Sequence, residues 1–131
     1  MVLETTYTDK EVTKAINDAV GQPFDFLTRI KMGGIGSHRI QINRVSKGLE
    51  SYINPGHSTN HVNLELRPLG IIVHLKWRTQ TYAWVIPISK LEMSLQYDNI
   101  SDGTESIDLL NSMEYNESFF KKLEKQKMVI K

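Results

Sequence analysis

A chain of 131 residues is about one domain's worth of polypeptide, long enough to bury a single core without disulfides or a structural metal. It has no cysteine, which excludes a disulfide framework, a thiolate metal site and a thiol nucleophile. Its 16 Lys and Arg stand against 15 Asp and Glu, and a net charge of +1 gives little long-range attraction to phosphate, so a dedicated nucleic-acid binder is disfavoured.

The first twenty residues are dotted with charges and lack the apolar stretch of a signal peptide. No run approaches the roughly 18 apolar residues of a membrane helix, and the expected setting is the cytoplasm. Thr8 stands three residues before Glu11, the spacing of a capping box, and Val12, Ala15, Ile16, Ala19 and Val20 then share one helical face. A helix over residues 8–20 is expected, ended by Gly21 with Pro23 just beyond. In "PFDFLTRIKM", Phe24, Phe26 and Leu27 read as core without fixing an element.

From His38 the period changes to two. "HRIQINRV" sets Ile40 and Ile42 against Arg39, Gln41 and Asn43, a strand with one wet face. "GLESYIN" is a weaker strand candidate, and "NPGHSTN" reads as a loop. "VNLELR" alternates again, Val62, Leu64 and Leu66 against Asn63, Glu65 and Arg67, until Pro68 and Gly70 break it.

"GIIVHLKWRTQTYAWVIPI" then reads as a hairpin turning around Thr79 and Gln80. Pairing Trp77 with Tyr82, Leu75 with Trp84, Val73 with Ile86 and Ile71 with Ile88 makes one face wholly apolar. The other face carries His74, Lys76 and Arg78, and a one-residue slip would bury those cations. Thr-Gln suits a two-residue primed turn poorly, so a four-residue loop over Arg78 to Thr81 is expected. Pro87, lacking a ladder donor, belongs near a strand end. "LEMSLQY" alternates once more, "DNISDGTE" reads as a turn and "SIDLL" as a last short strand. From Asn116, a plausible N-cap, a helix to about 127 places Phe119, Phe120 and Leu123 on one side.

About seven antiparallel strands over residues 38–110, with a C-terminal helix to plug the open end and an extra N-terminal helix, predict a single α+β domain spanning 1–131: a pleckstrin-homology-like (PH-like) barrel or curved sheet. The stretches "AVGQPFD" and "YAWVIP" resemble a family of small uncharacterised bacterial proteins. That resemblance implies a small bacterial cytosolic domain and carries no activity or site residue.

Familiar motifs fail on inspection. "GGIG" at 33–36 lacks the Gly-Lys-Ser/Thr of a phosphate loop and the third glycine of a dinucleotide loop, where Arg39 stands. "DNISDG" has Ile100 and Leu109 where a calcium loop needs ligands. His57 and His61 are four apart but lie in a loop without a third ligand, so no metal or cofactor is expected.

The best candidate surface is the mixed hairpin face: His74, Lys76 and Arg78, which could pair with a carboxylate, phosphate or headgroup, beside Ile72 and Val85. Those two apolar residues call for cover, by the N-terminal helix or by a second subunit. The reading is a non-enzymatic binding or scaffold domain that engages a protein partner or itself through an edge strand or this face. Two alternatives stand beside it: a small-ligand site or enzyme cleft lined by His38, His57 or His61, and weak attraction to anionic lipid or nucleic acid.

Overall fold

The computed structural model describes residues 1–53, 60–94 and 96–130. Among these residues eight strands form one curved antiparallel sheet: β1 (Val2–Glu4), β2 (Ile40–Val45), β3 (His61–Arg67), β4 (Gly70–Trp77), β5 (Gln80–Pro87), β6 (Glu92–Ser94), β7 (Asn99–Ser101) and β8 (Ser106–Leu110). Their order across the sheet is β1-β5-β4-β3-β2-β8-β7-β6. Three helices accompany it, α1 (Lys10–Val20), α2 (Phe26–Met32) and α3 (Glu117–Ile130). No helix among the described residues is long and apolar enough to cross a membrane.

The alternating patterns choose the faces. Ile71, Val73 and Leu75 of β4, Trp84 and Ile86 of β5, and Val62, Leu64 and Leu66 of β3 point inward. They meet Ile100 and Ile107 from the far end of the sheet and Phe119, Phe120 and Leu123 of α3, so the sheet wraps its core and α3 fills the opening. The outer face carries a second, smaller cluster. Ile72, Ala83 and Val85 lie under Ile16 and Val20 of α1, all of them buried. Of the two covers expected for Ile72 and Val85, the N-terminal helix is the one present, which removes both residues from the candidate surface.

The hairpin register differs from the expected one by two residues. Leu75 pairs with Tyr82, Val73 with Trp84 and Ile71 with Ile86, around the two-residue loop Arg78–Thr79. Arg78 makes the tight loop by entering the left-handed region at φ 59°. An even shift leaves every side chain on its expected face, which is why the apolar face survived the error.

Other boundaries moved for local reasons. Asp9, not Thr8, caps α1: its Oδ1 accepts from the N–H of Glu11 at 2.8 Å and of Val12 at 3.4 Å. A carboxylate serves the cap and the positive end of the helix dipole together. "GLESY" is a 3₁₀ turn, Lys47–Tyr52, not a strand. Part of "DNISDGTE" is a strand, β7, with turns on either side of it, ending at Asp98 and running over Asp102–Glu105. The loop read in "NPGHSTN", including His57, falls largely outside the described residues. Asn116 precedes α3 as expected, but its side chain turns away: Oδ1 accepts from the His38 N–H at 2.7 Å, tying β2's approach to the helix start. In α2, capped by Asp25 through the Thr28 N–H at 2.7 Å, Phe26 and Leu27 are 68% exposed. Phe24 alone of the expected trio packs on the core.

Gly70 is required by a close approach. A Cβ there would stand 2.3 Å from the Ile86 carbonyl oxygen and 2.7 Å from Val20 Cγ1, where α1 crosses the sheet. Gly70→Ala is expected to cost about 1–3 kcal/mol, because backbone must shift to admit the methyl group. Urea denaturation with an unchanged midpoint would refute the close packing of α1.

Two half-buried carboxylates, Asp102 and Glu65, each gather several hydrogen-bond donors. Asp102 lies in the β7–β8 turn. Burial alone would raise its carboxyl, but the N–H groups of Glu105 and Thr104, the indole of Trp84 and the chain's N-terminal ammonium outweigh that and hold it below the usual carboxylate range. Burial likewise opposes Glu65, and hydrogen bonds from His74 and Arg67 with their charges lower it overall. A carboxyl lowered in the folded state gives stability that is full above its unfolded range and is lost as pH falls through the folded value. The melting temperature is therefore expected to drop on acidification below about pH 4. Asp102→Asn and Glu65→Gln should each flatten that acid limb, and thermal melts in which the limb is unchanged in both variants would contradict this assignment.

Candidate functional site

The outer face of the sheet is longer than α1. Beyond the helix, β3, β4 and β5 present polar side chains to a cleft of about 840 Å³. β4 contributes His74, Lys76 and, from the loop, Arg78; β5 contributes Thr81; β3 contributes His61 and Asn63. Strand pairing sets these neighbours, since His74 lies directly across from Asn63 on one side and Ala83 on the other, and Lys76 across from Thr81. Arg39 enters from the start of β2, and Thr5 closes the rim beyond β1. Thr5 is fixed there by its N–H to the Thr81 carbonyl at 2.8 Å and by its hydroxyl, 2.9 Å from that of Thr81.

The electrostatics are one-sided. Three permanent cations, Arg39, Lys76 and Arg78, and two imidazoles line the cleft, and no Asp or Glu among the described residues lines it. Lys76 and Arg78 are exposed and have no carboxylate partner among the described residues. Just behind the lining, Glu65 receives His74 Nε2 at 2.8 Å and Arg67 Nε at 2.5 Å. Arg67 in turn donates to Asn17 Oδ1 at 3.0 Å and to the Gly21 carbonyl at 2.8 Å. This chain links the cleft to the C-terminal end of α1 and holds the His74 ring in place.

Proton positions on the two imidazoles follow from their partners. A lowered Glu65 carboxyl is ionised and only accepts, so His74 Nε2 is the donor. Arg39 only donates, and its Nη2 lies 3.3 Å from His61 Nδ1, which places the proton of a neutral His61 on Nε2. Trp77, half-buried at the hairpin end, carries the Arg78 guanidinium 4.9 Å from its ring centroid.

The expected site residues divide clearly. His74, Lys76 and Arg78 come together in the cleft; Ile72 and Val85, 1% exposed each, lie beneath α1. Of the three candidate histidines, His61 lines the cleft, His38 stands outside it with its ring T-shaped to that of Tyr115, centroids 6.4 Å apart, and His57 lies outside the described residues. Among the described residues no group of three or more His, Asp or Glu side chains is placed to hold a metal ion. Arg39, Asn63, Thr5 and Thr81 complete the cleft. Alternation puts Arg39 and Asn63 on wet faces, but only the strand order sets Asn63 beside β4 and Arg39 one strand farther on.

A second exposed surface lies on α2, where Phe26, Leu27 and Ile30 are 60–68% exposed. Comparison with known proteins adds no assignment: no family model, curated protein or solved structure matches the chain.

Proposed function

We propose that this chain is a non-enzymatic binding domain that docks a partner protein by receiving an acidic segment in the basic cleft of β3, β4 and β5. The observation that carries this reading is a cleft that, among the described residues, has three cations and no lining carboxylate, two of those cations lacking any ion-pair partner. Its breadth, from Thr81 on β5 to Arg39 before β2, crosses four strands, about 14 Å at the usual strand spacing, which suits an extended peptide better than a single ion. Side-chain amides and hydroxyls of Asn63, Thr5 and Thr81 can meet a peptide backbone.

The hairpin face is preferred over strand addition because both sheet edges, β1 and β6, are only three residues long and offer little ladder. A PH-like plan is supported by the strand order: apart from β1, a four-strand meander (β2 to β5) is followed by a three-strand meander (β6 to β8) and a core-filling helix. A bacterial cytosolic setting is supported by the resemblance of "AVGQPFD" and "YAWVIP" and by the lack of cysteine.

The test is fluorescence anisotropy of a labelled Asp- and Glu-rich peptide titrated with the protein at low and physiological salt. Saturable binding that weakens with salt is expected. Absence of binding, or binding indifferent to salt, would overturn the reading.

A further inference from the structure

Arg78 occupies a backbone conformation that its residue type does not favour. In the loop between β4 and β5 its φ is 59°, while Thr79 is not among the positive-φ residues. That is the pattern of a primed hairpin turn whose first position falls by default to glycine, since a Cβ there crowds the backbone. Gln96, Tyr97, Asn111 and Tyr115 also have positive φ, and all but Tyr97 are exposed, but none of the four lines the cleft. Arg78 does. Its side chain is exposed, reaches no carboxylate among the described residues and lies over the Trp77 ring in a cation–π contact. Strain kept for an exposed side chain that lines a cleft points to a ligand contact.

We infer that Arg78 is the anchoring, specificity-determining contact of the cleft, presented by a strained turn so that its guanidinium grips a carboxylate of the docked segment. This rests on the peptide-docking reading above and adds the residue on which its selectivity turns. A guanidinium offers two parallel N–H donors to one carboxylate, and the Trp77 ring beneath it fixes the plane while its edges remain free to donate. Arg39, the other guanidinium in the cleft, is already engaged by His61, and Lys76 supplies charge without that fork.

Three single variants test this by thermal melting and by anisotropy with the same labelled acidic peptide. Arg78→Gly relieves the strain, so it should melt no lower than wild type despite glycine's added freedom in the unfolded chain, and bind at least tenfold more weakly. Arg78→Lys keeps the charge and the strain, and should also bind more weakly because a point charge does not replace the fork. Lys76→Glu serves as the control for the cleft itself. If Lys76→Glu weakens binding while Arg78→Gly stays within twofold of wild type, the anchor is refuted and the docking reading stands. A lower melting temperature for Arg78→Gly would refute the strained turn, and failure of the wild-type protein to bind the peptide would overturn both.

Discussion

Replacing Trp84 with alanine is expected to destabilise the domain by about 3–5 kcal/mol, a large part of the roughly 5–15 kcal/mol that holds a domain of this kind together. Trp84 is completely buried, lies between Val73 of β4 and Val2 of β1, and belongs to the core cluster that reaches Ile100 and Ile107 at the other end of the sheet. Its indole N–H donates to Asp102 Oδ2 at 3.1 Å, so one side chain joins the β5 side of the curved sheet to the β7–β8 turn. Alanine removes both the ring volume and this stitch. Trp84→Phe keeps most of the volume and leaves Asp102 short of one donor, so its cost should be nearer 1–3 kcal/mol. Urea denaturation separates the two variants, and a Trp84→Ala loss below about 1 kcal/mol would contradict a sheet wrapped around this residue.

Reversing the cleft's charge is expected to have the opposite signature: a large effect on binding and a small one on folding. Lys76 and Arg78 are exposed and unpaired with any described carboxylate, so Lys76→Glu combined with Arg78→Glu should cost no more than about 1 kcal/mol of stability, chiefly the lost contact of Arg78 with the Trp77 ring. Each hydrogen bond to a charged group is worth about 1.5–3 kcal/mol, and the reversal adds repulsion. Affinity for the acidic peptide should therefore fall about a hundredfold or more, and its salt dependence should disappear with it. The neighbours set the comparison: Lys14, 78% exposed and paired with Asp18 at 2.9 Å on α1, lies outside the cleft, and its reversal should leave affinity unchanged.

How much of this was legible follows from which features are local. Alternation in "HRIQIN", "VNLELR" and the Gly70–Ile88 hairpin named the strands and their buried faces, because a period of two is written in consecutive residues. Loop geometry was not, because an arginine at positive φ runs against turn preferences, and the register was misplaced by two residues as a result. β1 and β7, three residues each, are too short to show a period, and β7 is embedded in turn-forming residues. On α2, Phe26 and Leu27 looked like core because their hydrophobicity was visible while the helix's place outside the sheet was not.

The candidate site divides along the same line. His74, Lys76 and Arg78 share one strand and its loop and were found from spacing alone. Arg39, His61 and Asn63 join them only through the β2–β3 and β3–β4 pairings, which are tertiary. Ile72 and Val85 were grouped with the cations because they share their face. The helix that divides that face into a covered and an open half was recognised as one possible cover but could not be placed from sequence.

The most direct measurement is amide chemical-shift mapping of the isotope-labelled protein titrated with the acidic peptide. Shifts concentrated at His61, Asn63, His74, Lys76, Arg78 and Thr81, with α2 unmoved, are the expected result. Shifts centred on Phe26, Leu27 and Ile30 of α2, or none at saturating peptide, would contradict the basic cleft as the docking site.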